Sequence, residues 1–138
     1  MASEFVEYAK TFIGVRYVWG SVNPSVGLDC FGFVNAVAKH YDITVPRTSV
    51  SFTNLGTPVT VEEAKPGDII LFTGTDLRKR IVGHMGIVTG NENGELQFIH
   101  SSSGKKNGVN ISGLTNYYKS RLVKIIRILP LQEDRVVS

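Results

Sequence analysis

The sequence predicts an α+β domain, with helices in the first third and antiparallel strands after them. Two patterns carry that expectation. Up to about residue 40, apolar residues recur at helical spacing on both sides of a glycine-bearing loop. After Pro66-Gly67-Asp68 the apolar runs become short and extended and are separated by polar turns. A third observation agrees: 14 glycines and 5 prolines in 138 residues mark more turns than a helix-only bundle uses.

The elements follow in order. Ser3 is placed to cap a first helix whose Phe5, Tyr8, Ala9 and Phe12 share a face, with Gly14 closing it. Val15 to Gly20 reads as a short extended aromatic stretch, followed by a loop through Asn23-Pro24 and Gly27. Asp29 is an N-cap residue. The helix behind it buries Phe31, Val34 and Ala38, flanked by Phe33 and Val37, and runs to His40 or Tyr41. Pro46 breaks the pattern, and Thr48 or Ser49 caps a short helix ending at Gly56. Thr60 to Glu63 has the spacing of a capping box. Strands are expected at 69–72, 83–89 and 95–100, the last two joined by Asn91-Glu92-Asn93-Gly94. The uniformly apolar first run is the central one. Beyond it come a loop at 101–108, a short strand at 109–111, a helical turn at 114–118 and a last strand at 122–128. Residues 1–130 make one domain and 131–138 a polar tail.

Composition narrows the function. Hydrophobic residues at 42% and charged residues at 20% suit a globular chain, and no apolar run reaches the length of a membrane span. A single cysteine excludes an intrachain disulfide. The first residues lack the basic-then-apolar pattern of a signal peptide, so a cytoplasmic location stays open beside the cell envelope or exterior. Net charge is +3, with basic clusters at Arg78-Lys79-Arg80 and Lys105-Lys106. These read as solvated loops that would favour an anionic partner if engaged. Nucleic acid is disfavoured, because no basic stripe is interleaved with aromatics.

The chemistry centres on Cys30, in the first turn of the Asp29-capped helix, where exposed N–H groups and the helix dipole favour a thiolate. Taken alone it could equally be an inert small apolar residue. Two histidines point the other way. A hairpin turn centred on Glu92 sets His84 opposite His100 on one face, within hydrogen-bonding reach. A thiolate attacking a carbonyl, His84 shuttling the proton and His100 orienting His84 is then a coherent nucleophilic site. Gly83 and Gly86 allow close approach to His84. The oxyanion would be held by backbone N–H groups at the helix start and by the Tyr17 hydroxyl. A zinc site from Cys30, His84 and His100 is the alternative, but it lacks a close-spaced ligand pair. His40 reads as a solvated helix-end residue, and Tyr17 and Trp19 as core or groove wall.

Six short motifs resemble the NlpC/P60 family in order. They are Gly14-Val15-Arg16-Tyr17-Val18-Trp19-Gly20, Leu28-Asp29-Cys30-Phe31-Gly32, Pro46-Arg47-Thr48-Ser49, Pro66 to Phe72, Gly83-His84-Met85-Gly86-Ile87-Val88 and Phe98-Ile99-His100. The resemblance covers about residues 12 to 128. It implies a papain-like fold in which the nucleophile-bearing helix packs on an antiparallel sheet. It also implies Cys30 as nucleophile, His84 as base and acid, and His100 as the orienting group, with no metal or cofactor. Tyr17, Trp19, Asp29, Gly83, Thr48 and Ser49 would line a groove for peptidoglycan stem peptides, cut at the γ-D-glutamyl bond to a diamino acid through a thioester. Phe31 departs from the family's serine, which helps bind a terminal amine, and so opens the specificity. Rival expectations are a CHAP-like cysteine amidase, an acyltransferase and a non-catalytic wall binder.

Overall fold

The computed structural model describes residues 1–46, 48–74 and 76–129, so the expected tail at 131–138 lies outside the described residues, as does Arg47. Two helices come first, α1 (Ala2–Lys10) and α2 (Cys30–His40). A 3-10 turn at Val50–Asn54 follows, then β1 (Thr57–Val59), β2 (Ile69–Thr73), β3 (Val82–Glu92), β4 (Glu95–Ser102) and β5 (Gly108–Gly113). A short α3 (Asn116–Lys119) and β6 (Leu122–Arg127) complete the domain. The strands form one antiparallel sheet in the order β1-β6-β2-β3-β4-β5, so the apolar β2 is central as expected.

Alternation along the strands divides the apolar residues between two faces. Leu71, Met85, Ile87 and Ile99 face α1 and α2 and meet Phe5, Phe33, Val34 and Val37 there. Ile70, Phe72, Val88 and Phe98 line the other face, covered by Tyr118, Leu122 and the Val59–Ala64 segment. Ser101 ties the sheet to the chain just before α2, its buried hydroxyl donating to the Leu28 carbonyl at 2.5 Å.

Several local expectations change. Ser3 lies inside α1, whose N-cap Met1 makes no side-chain cap bond. The Val15–Gly20 stretch forms no strand and ends in a turn at Trp19-Gly20; it is held by Gly14 N–H to the Val109 carbonyl and Leu28 N–H to the Arg16 carbonyl. Ser49 makes no side-chain cap bond to the 3-10 turn. The capping box at Thr60–Glu63 does close, Thr60 N–H donating to Glu63 Oε1 and Glu63 N–H to Thr60 Oγ1, both at 3.1 Å, but around a turn.

The register of the β3–β4 hairpin is corrected. Asn93 and Gly94, with φ of 56° and 77°, make a two-residue turn that sets Glu92 opposite Glu95. Moving the turn from Glu92 shifts the pairing by an odd number of positions, which alone would put His84 and His100 on opposite faces. A bulge between Val88 and Gly90 takes one residue back, and beyond it Ile87 faces Ile99. Extending that register sets Gly86, not His84, opposite His100. His84 becomes a diagonal neighbour on the same face.

Candidate active site

Asp29 defines the start of α2. Its Oδ1 accepts from Gly32 N–H at 2.6 Å and its Oδ2 from Gly20 N–H at 3.0 Å, so one carboxylate caps the helix and anchors the Tyr17–Gly20 loop against it. Cys30, the next residue, is 8% exposed and donates its S–H to the Gly83 carbonyl at 3.8 Å. Gly83 packs face to face with Gly74, where a Cβ would sit 2.6 Å from the Gly74 Cα.

His84 follows Gly83 and opens onto the same cleft as Cys30. Its Nε2 lies 2.8 Å from His100 Nδ1, and His100 is fully buried against Phe98. The two imidazoles therefore meet, as the parity argument requires.

The charge state differs from expectation. Burial, then the Asp29 carboxylate, pushes the Cys30 thiol up to about 11, although the N–H groups of Met85, Phe31 and Cys30 itself act in the other direction. Burial lowers His84 to about 4, and burial with the neighbouring His84 lowers His100 to about 3. The resting site is a neutral thiol facing neutral imidazoles. The helix terminus favours the thiolate as the sequence argument has it, but desolvation outweighs it.

The cleft has a volume of about 780 Å³, and Tyr17, Trp19, Cys30, Gly83 and His84 are among its lining residues. Lys105, Lys106 and Arg121 add positive charge to the lining. Tyr17 keeps its proton, since burial and then the Cys30 and Asp29 charges raise it, and it can donate a hydrogen bond. Trp19 is 85% exposed and belongs to the groove wall, not the core. Asp29, Thr48 and Ser49 are outside the cleft lining. The Thr48 hydroxyl pairs with Ser51 at 2.7 Å. Phe31 turns away from the cleft and packs edge-on against Phe52. His40 is exposed and stacks on Tyr8. In the Arg78-Lys79-Arg80 loop, Arg78 pairs with Asp76, while Arg80 clamps the Ser120 and Leu122 carbonyls. Neither arginine lines the cleft. Among the described residues no cluster of three His, Cys, Asp or Glu is arranged for a metal ion.

Sequence reasoning missed the partners on β5. His100 Nε2 meets the Ser112 hydroxyl at 2.9 Å, and Ser112 donates to Asn110 Oδ1 at 3.1 Å. Both residues sit at alternate positions of β5, which the sequence places at 109–111 and which extends to Gly113, so that Ser112 falls beyond the expected strand. Only the β4–β5 register, with His100 opposite Asn110 and Phe98 opposite Ser112, reveals them.

An antiparallel sheet carrying a cysteine-tipped helix, with that cysteine and one of two hydrogen-bonded histidines opening on one cleft, defines a papain-like domain. The NlpC/P60 family model matches residues 14–127. Gamma-DL-glutamyl hydrolase of Bacillus subtilis (strain 168) is 36% identical over 138 residues, covering 96% of this chain and 32% of that protein. The bifunctional muramidase/DL-endopeptidase CwlT of the same organism is 34% identical over 121 residues, covering 87% and 34%. An NlpC/P60 family protein of Bacillus cereus ATCC 10987 superposes with a TM-score of 0.81 at 30% identity, over 94% of this chain and 41% of that one. The chain belongs to the NlpC/P60 family and stands among its hydrolases and peptidases. It spans about a third of the length of these two curated relatives.

Proposed function

We propose that the domain is a cysteine endopeptidase that hydrolyses an amide of peptidoglycan stem peptides, at a γ-D-glutamyl bond to a diamino acid. The observation that carries this reading is that Cys30 and His84 share one cleft while His84 is bonded to His100. In the reaction, the Cys30 proton passes to His84 as sulfur bonds to the acyl carbon. Backbone N–H groups at the start of α2 and the Tyr17 hydroxyl stabilise the oxyanion. His84 gives its proton to the leaving amine, which leaves a thioester. Water then attacks with His84 as base and frees the Cys30 thiol with the acid product.

Two features support an acyl donor embedded in a larger chain. Asp29 lies outside the cleft lining with an N–H bonded to each oxygen, and Phe31 brings no hydroxyl beside Cys30, so these two positions do not form an amine site. The Lys105, Lys106 and Arg121 charges suit the carboxylates of the stem peptide. A cell-envelope or extracellular site of action accompanies this substrate.

Mass spectrometry of muropeptides digested by the protein and by Cys30→Ala tests the proposal. Products ending in D-glutamate with both carboxyls free, absent with Cys30→Ala, are the expected result. Intact muropeptides in both digests would refute it, and a cut between glycan and peptide would make the domain an amidase.

A further inference from the structure

We infer that Ser112 and Asn110 are positioning residues that set the proton placement of the histidine pair and leave His84 Nδ1 bare to act as the base. The inference deepens the cysteine-hydrolase reading and rests on it for its catalytic meaning. Its structural basis is separate.

The direction of each hydrogen bond can be read from the far end. Asn110 Nδ2 donates to the Lys106 and Gly108 carbonyls at 3.1 and 2.9 Å, so the amide nitrogen is fixed on that side. The other amide atom is then Oδ1, which only accepts. Ser112 must donate its hydroxyl proton to it, at 3.1 Å. With that proton committed, the Ser112 oxygen accepts from His100 Nε2–H at 2.9 Å and from the Tyr118 hydroxyl, which also bonds Ser112. A neutral imidazole holds one ring proton, so His100 Nδ1 is bare and accepts from His84 Nε2–H at 2.8 Å. By the same rule His84 Nδ1 carries no proton. That nitrogen is free to take one from a thiol.

The arrangement spans three strands. His84 comes from β3, His100 from β4, and both Asn110 and Ser112 from β5, all on one face of the sheet. Without the Ser112 oxygen, the His100 Nε2 proton loses the acceptor it has at 2.9 Å. The proton can then move to Nδ1 and donate to His84 Nε2, which drives the His84 proton onto Nδ1 and blocks the base.

Long-range proton–nitrogen correlation NMR of the imidazole rings reads the tautomers directly, without substrate. In the wild-type protein both histidines are expected to carry their proton on Nε2. Ser112→Ala is expected to shift His100 and His84 toward Nδ1 protonation, and Ser112→Thr to restore the wild-type spectrum. With a muropeptide substrate, kcat of Ser112→Ala should fall by roughly 10- to 1,000-fold at unchanged KM, short of the ~10⁴-fold that a wrong tautomer costs a serine triad. A proton on His84 Nδ1 in the wild type would overturn the inference without any variant. So would Ser112→Ala spectra identical to wild type, because a lower kcat with unchanged tautomers would place Ser112 against the substrate instead. Failure to cleave any muropeptide would refute the proposed activity and leave the tautomer result standing.

Discussion

Consider the reactivity of Cys30 as pH is varied. The thiol is held near 11 and the His84 imidazole near 4, about seven pH units apart. Moving the proton from sulfur to His84 therefore costs roughly 10 kcal/mol before the two charges attract. Were the two charges as close as ~4 Å, their attraction at an effective dielectric near 20 would return about 4 kcal/mol. Even at that separation the ion pair would lie roughly 6 kcal/mol above the neutral pair, a population on the order of 1 in 10⁴. Thiolate at neutral pH is accordingly about 100-fold scarcer than for a cysteine at the ordinary value of 9.0. The assay is the rate of alkylation by iodoacetamide across pH, with ultraviolet thiolate absorbance beside it. The rate should climb about tenfold per pH unit and level off only near 11. His84→Ala should leave the neutral-pH rate nearly unchanged while abolishing turnover. A plateau of high reactivity between about pH 5 and 8, lost in His84→Ala, would mean a preformed thiolate–imidazolium pair and would refute the argument.

Two further substitutions probe the frame around the site. A Cβ on Gly86 would lie 2.8 Å from the Ile99 carbonyl oxygen and 3.1 Å from the His100 Cβ. Gly86→Ala should cost about 1–3 kcal/mol of stability and lower turnover further than a neutral destabilising change does. Thermal melting alongside kcat checks this, and full activity at a reduced Tm would contradict it. Asp68, 2% exposed, accepts from Arg127 Nε and Nη2 at 2.9 Å each and from Lys65 N–H at 2.8 Å. Asp68→Ala strips the half-buried guanidinium of its carboxylate. It should destabilise the fold by about 3–5 kcal/mol in urea unfolding, with the tautomers of the distant histidine pair unchanged.

The elements that local chemistry dictates were legible in the sequence. Asp29 caps and Cys30 to His40 are helical because the cap, the apolar spacing and the break in pattern before Pro46 all act within a few residues. Ile69 to Thr73 is central because every residue in it is apolar or buried. Features set by distant partners were not legible. The three-residue β1 carries Pro58 at the sheet edge and owes its strand character to pairing with β6. The hairpin register turned on two local details, the Asn93-Gly94 turn and the bulge at Thr89. Neglecting both displaced the pairing by an even number of positions, so the shared face of His84 and His100 survived the wrong register. The Cys30 charge state depends on burial by the whole fold, which helix position alone does not report.

The same parity raises a geometric problem that the glycines resolve. Helix α2 lies on the sheet face of Leu71, Met85 and Ile87, whereas His84 and His100 point to the face of Phe72 and Phe98. A continuous sheet would stand between Cys30 and His84. They can share a cleft only at the end of β3, where the β2–β3 ladder shifts between Phe72 and Thr73. Gly74 and Gly83 are in mutual contact at that end, and neither has a side chain to close the gap. The thiol reaches over this low point to the Gly83 carbonyl, one residue from His84. A side chain at Gly83 would meet Gly74 backbone at 2.6 Å and push the strands apart where Cys30 crosses. The pair of glycines is thus what allows a helix on one face of a sheet to serve a histidine on the other.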